Sequence, residues 1–120
     1  MEGELADMSY RPATTSMIPN LVGYSRSKTP ADNTDPQAVF LSIHGEYFTR
    51  ELDVWFGDIR SPRSEYRGRE LILCQVPSHG ELTHAIGAQW KADGACSVPL
   101  LLVRSDGKAV YKTNKHYTFC

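Results

Sequence analysis

LDVWFGD, residues 52–58, sets Leu52, Val54 and Phe56 at period two on one face and Trp55 on the other, the alternation of a half-buried β-strand. Just before it, AVFLSIHG at 38–45 joins β-branched and bulky apolar residues and ends at Gly45, which predicts a second strand. Moving outward, SPRSEYRGR at 61–69 is rich in turn-formers, and ELILCQVP at 70–77 is a third strand that Pro77 stops by removing a backbone donor. The stretch 78–95 has no firm period and reads as a long loop, with Glu81–Trp90 the candidate for a helical turn. SVPLLLVR at 97–104 is a further strand, in which Pro99 predicts an edge position or a bulge. Ser105-Asp106-Gly107 then makes a hairpin turn with Gly107 able to take positive φ. KAVYKTNKHYTF at 108–119 returns as one or two strands, with Tyr111, Thr113, Lys115 and Tyr117 alternating.

Toward the N-terminus, NLVGY at 20–24 predicts a first strand and 25–37 a polar loop, while 1–18 mixes Met, Ser, Thr, Pro and Gly without period and reads as a disordered tail or the edge of a fragment. The domain is therefore expected at 19–120, with its main body at 38–120. Several short strands separated by turn signals, and no segment of ten residues with a 3.6 period, describe an all-β sandwich or barrel. With 120 residues there is material for one core, not two.

Thirteen basic against fourteen acidic side chains give a net charge of −1, and the positive ones are scattered. Such a surface offers little of the phosphate attraction on which DNA binding rests. No run approaches the roughly 18 apolar residues of a membrane span, and MEGELADM lacks the basic and apolar regions of an export signal. The expectation is a soluble, unexported chain. Cys74, Cys96 and Cys120 are an odd set without CxxC spacing, which argues against a disulfide framework or a zinc knuckle and fits a reducing compartment.

Candidates for chemistry are few. His44, His79, His84 and His116 lie on separate segments, and His79 and His84 are five apart where a helix face would need four. Cys74 lies mid-strand without an adjacent base and reads as a structural thiol. There is no G-x-S-x-G elbow and no glycine-rich phosphate loop. Arg63, Arg67 and Arg69 beside Tyr66 form the best local cationic cluster, a possible contact for a phosphate or an acidic partner. No catalytic residue, metal or cofactor is expected, nor a small-molecule substrate.

The stretch SIHGEYFTRELDVWFGD, 42–58, resembles the opening of the IPT/TIG immunoglobulin-like domain, where G-x-x-F precedes V-x-F-G-D; here Gly45, Phe48, Val54, Phe56, Gly57 and Asp58 supply those positions. Within that group, the Trp of VWFGD, YRGRELILCQVP at 66–77 and VPLLLVRSDGKAVY at 98–111 are similar to the C-terminal domain of the CSL transcription factors, the Suppressor of Hairless and RBP-J type. The resemblance implies an immunoglobulin-like β-sandwich of about seven strands with Phe48, Val54, Phe56, Leu73, Val76, Leu101 and Val103 between the sheets. It also implies a nuclear transcription regulator in which other domains grip DNA and this one docks coactivators or corepressors, the Notch ankyrin repeats with Mastermind, or Hairless, in an animal member. Leu52 falls where family corepressors insert an apolar wedge. The family's animal members carry W-x-W in the loop before the V-P strand, whereas this chain has Trp90 alone, a partner-facing residue by the same resemblance; fungal members have no Notch to bind. The alternative is an IPT/TIG domain used as a dimerisation or structural module.

Overall fold

A computed structural model describes residues 18–120; all but the last residue of the expected tail lies outside them. The described elements are β1 (Asn20–Ser27), β2 (Phe40–Glu46), β3 (Leu52–Phe56), β4 (Ile59–Arg60), β5 (Ser64–Gly68), β6 (Leu71–Gln75), α1 (His79–Leu82), β7 (Gln89–Trp90), β8 (Cys96–Arg104) and β9 (Val110–Phe119). One sheet has the order β1-β2-β6-β5, the other β9-β8-β3-β4 with β7 also paired to β8. All pairings are antiparallel. This is the immunoglobulin-like sandwich the sequence predicts, and the seven strands of five or more residues make up the expected number. Among the described residues no helix is long and apolar enough to cross a membrane.

Between the sheets the two alternations meet. Val54 and Phe56 of β3 are fully buried, with Ile43 from β2, Ile72 and Cys74 from β6, and Val98, Leu100 and Leu102 from β8 around them. The Tyr117 ring packs edge-on against Phe56 at 5.6 Å and tilted against Tyr24 at 5.7 Å, an arrangement aromatic quadrupoles favour. Tyr24 also accepts a hydrogen bond from the Thr118 backbone N–H at 3.3 Å, which ties the edge strand of one sheet to that of the other.

The expected core list needs correcting in two strands. In β6 and β8 the inward residues are Ile72, Cys74, Leu100 and Leu102, so Leu73, Leu101 and Val103 face outward instead. Both strands are apolar on both faces, and a run such as LLLV carries no phase that alternation can reveal. Phe48, Val54, Phe56 and Val76 are core residues as expected.

Of the two alternatives at Pro99, the structure takes the bulge. The Pro99 strand is central, with β9 on one side and β3 and β7 on the other, so the edge alternative fails. A residue's N and C=O point to the same side of a strand, and the Pro99 carbonyl accepts from the Gly57 N–H at 2.8 Å. The missing donor therefore faces the place where β3 has ended and its chain turns away, and no ladder bond is lost. On the other side β9 bulges: Lys112 pairs with Leu101 but His116 with Pro99. The slip is two residues, so side-chain parity survives it, and Tyr117 and Phe119 stay buried while Lys115, in the bulge, is exposed rather than continuing the alternation.

Turn signals hid some elements. SPRSEYRGR contains β5, a half-polar edge strand that among the described residues pairs with β6 alone, and edge strands are kept polar in this way. NLVGY extends to Ser27. The helical turn begins at His79 rather than Glu81, with Ser78 and Glu81 forming a reciprocal capping box and Leu82 buried.

Two glycines are required by shape. A Cβ on Gly45 would collide with the Asn20 carbonyl oxygen and the Phe48 ring, and Gly57 sits at φ +63° against the Ile86 carbonyl.

Candidate functional site

Leu52 opens β3, paired with Arg104 at the far end of β8. The loop before it is pinned by backbone bonds from the Phe48 N–H to the Arg69 carbonyl, 2.9 Å, and from the Leu52 N–H to the Thr49 carbonyl, 3.3 Å. Its side chain is 4% exposed and belongs to the core, yet it also floors a cavity of about 390 Å³ walled by Pro19, Thr49, Glu51, Arg104, Asp106 and Tyr111. The mouth carries charge: the Arg104 guanidinium meets the Asp106 carboxylate at 2.5 Å, and that hydrogen bond holds the Asp106 carboxyl below its ordinary pKa. An apolar floor under a polar rim suits a small apolar side chain with hydrogen bonds around it.

Trp90 lies at the opposite pole. It pairs with Cys96 at the start of β8, eight residues from Arg104, about 26 Å along an extended strand. Its side chain is 62% exposed, and large apolar area on display is the usual currency of protein contacts. The structure thus does not bring Leu52 and Trp90 into one site.

The arginines form a third location, on and around β5. Arg63 reaches Asp32 at 2.9 Å and also contacts Glu65, to which Arg67 bonds at 2.9 Å. Two guanidiniums are thus met by two carboxylates, and the Arg63 bond draws the Asp32 pKa down. What looked like a cationic cluster along the chain is locally balanced. Arg69 is exposed, while Arg50, not singled out by its sequence, stacks its guanidinium over the Tyr66 ring at 4.9 Å.

The histidines stay apart. His44 bonds the Ser25 hydroxyl at 2.9 Å and His79 stacks on Phe119 at 4.3 Å. No group of three metal-ligating side chains comes together among the described residues. Cys74 is buried, and burial pushes its thiol up to about 12, so it remains protonated and unreactive at neutral pH.

One surface escaped the sequence reading altogether. The outward residues of β3, β8 and β9 form rows, with Trp55 beside Leu101 and Lys112, and Val103 beside Val110. Together with Pro99 and Ile86 they line an open groove of about 710 Å³. The signal was the doubly apolar PLLLV itself, which does not fit a sheet with one wet face.

A family model described as a TIG domain, of the SUH type, matches residues 20–119. Over 68 residues, 56% of this chain, the sequence is 35% identical to the human "Recombining binding protein suppressor of hairless-like protein", and over 67 residues, 55% of the chain, 36% identical to the mouse protein of that name. The matched segment spans 12% of the length of either relative.

Proposed function

Since the chain belongs to the TIG domain family of the SUH type, we propose that it is the cofactor-docking domain of a CSL-type transcription regulator acting in the nucleus, with DNA sequence read elsewhere in the protein. The observation that carries this reading is the Leu52 cavity: a core leucine reachable at the pole of the sandwich, under a rim of Glu51, Arg104 and Asp106. A corepressor of the Hairless type would place an apolar side chain on Leu52 and use the rim charges for orientation. A net charge of −1 agrees with a domain that holds proteins and leaves the phosphates to its neighbours. In this reading Trp90, about 26 Å away, belongs to a separate contact, such as the one animal members offer to Notch ankyrin repeats and Mastermind.

The test is titration of the domain with a Hairless-type corepressor segment. Leu52→Ala removes buried volume and costs the fold about 2–4 kcal/mol. Leu52→Met keeps the volume and costs less than about 1.5 kcal/mol, so it separates binding from folding. Roughly tenfold weaker binding by the Met variant, with the thermal transition kept, is expected. Unchanged affinity in both variants sinks the Leu52 assignment.

A further inference from the structure

The groove on the outer face of the five-stranded sheet lies on a different surface from the Leu52 cavity and shares no lining residue with it. Its floor is Trp55, Leu101, Val103 and Pro99, and its walls carry Ile86 and Val110, which are 71% and 57% exposed. Apolar area of this kind in one contiguous strip marks a contact surface rather than ordinary surface scatter. The Trp55 indole N–H is buried and meets no acceptor among the described residues.

Charge decides what fits there. Along the β9 side stand Lys112, Lys115 and His116, none of which forms an ion pair with a described residue. Lys115 is carried outward by the two-residue bulge, so the irregularity of β9 sets a cation at the rim. Of the acidic groups nearby, Asp53 is bridged to Arg60 at 3.1 Å, and Asp58, on the groove's wall, accepts from the Ile86 backbone N–H at 2.9 Å, one carboxylate against Lys112 and Lys115. The strip from Val103 to Pro99 covers five residues of β8, about 13 Å from first to last, or roughly two and a half turns of an α-helix. An amphipathic helix laid with its apolar face in a hydrophobic groove is a recurring mode of partner recognition.

We propose that this groove docks an acidic amphipathic helix of a partner protein, its apolar stripe laid along β8 and its carboxylates facing Lys112, Lys115 and His116.

The probe is a designed helical peptide of about fifteen residues, long enough for the strip, with Leu and Phe at i, i+3, i+4 and i+7 and Asp and Glu on the flanks. It is compared with the same peptide carrying Asn and Gln instead. Trp55 fluorescence in a Trp90→Phe background reads binding at the groove. The acidic peptide is expected to bind at least tenfold more tightly than its amide twin and to lose that advantage in the Lys112→Glu/Lys115→Glu variant. Reversing Arg26 on β1 and Lys28 just beyond its end, the same change in net charge on the other side of the sandwich, is expected to leave it intact. Equal binding of both peptides, equal loss in both double variants, or no change in Trp55 emission with either peptide overturns the proposal. So does a Trp55 response produced by deleting residues 1–17 alone, since it would make the chain's own acidic segment the occupant.

Discussion

Gly57 shows how much one residue position can hold. It carries φ +63°, and a Cβ would press on the Ile86 carbonyl oxygen, so the turn after β3 and the loop before β7 pack through a missing side chain. Gly57→Ala is expected to lower stability by about 1–3 kcal/mol from backbone strain, with the clash adding to it, and a urea denaturation curve measures this. A loss below about half a kcal/mol would mean the loop yields freely. The glycine was legible in VWFGD as a motif position; its neighbour was not, because Ile86 is distant in sequence and its loop has no period. Leu52 divides in the same way. Its place at the start of a strand was written in the alternation, but the cavity over it is assembled by Pro19, Thr49, Arg104 and Tyr111, contributed by segments that no local pattern connects.

Among the elements, β9 is the most informative. Its slip of two residues keeps Tyr117 and Phe119 facing inward, and parity gives a sharp test because side-chain faces alternate with every residue. Deleting Asn114 and Lys115 together is expected to leave a folded domain with a regular strand. Deleting Lys115 alone turns both rings outward and is expected to abolish the cooperative thermal transition. Near-ultraviolet circular dichroism and melting distinguish the two, and an equally stable single deletion would show that the strand re-registers. β3, read from its alternation, and β2, read from a bulky apolar run closed by Gly45, were legible to within two residues. β5 was not, because an edge strand is polar by necessity, and neither was the phase of β6 and β8, because residues apolar on both faces erase it. The Pro99 expectation, an edge or a bulge, was met by the bulge, which lies in the partner strand β9.

For the molecule as a whole, burial of Cys74 has a consequence for stability at high pH. Its folded-state pKa is about 12 against an ordinary 9.0. Below pH 9 both states hold the proton and the group contributes nothing to the pH dependence. Between 9 and 12 only the unfolded chain ionises, so stability falls with rising pH by up to about 1.4 kcal/mol per unit. Burial shifts Tyr117 in the same direction. Urea midpoints for the parent and for Cys74→Val are expected to differ in slope between pH 9 and 11, the parent falling more steeply; parallel slopes would mean the thiol gains access to water before global unfolding.

The seam where Tyr24 meets Thr118 has a mechanical consequence. β1 starts at the pole of the Leu52 cavity and β9 ends at the pole of Trp90, so the two edge strands run side by side in the same direction. Tension applied between residues 20 and 119 pulls each strand lengthwise against its own ladder. The hydrogen bonds of β1 to β2 and of β9 to β8 then bear the load together, in shear, rather than parting one after another.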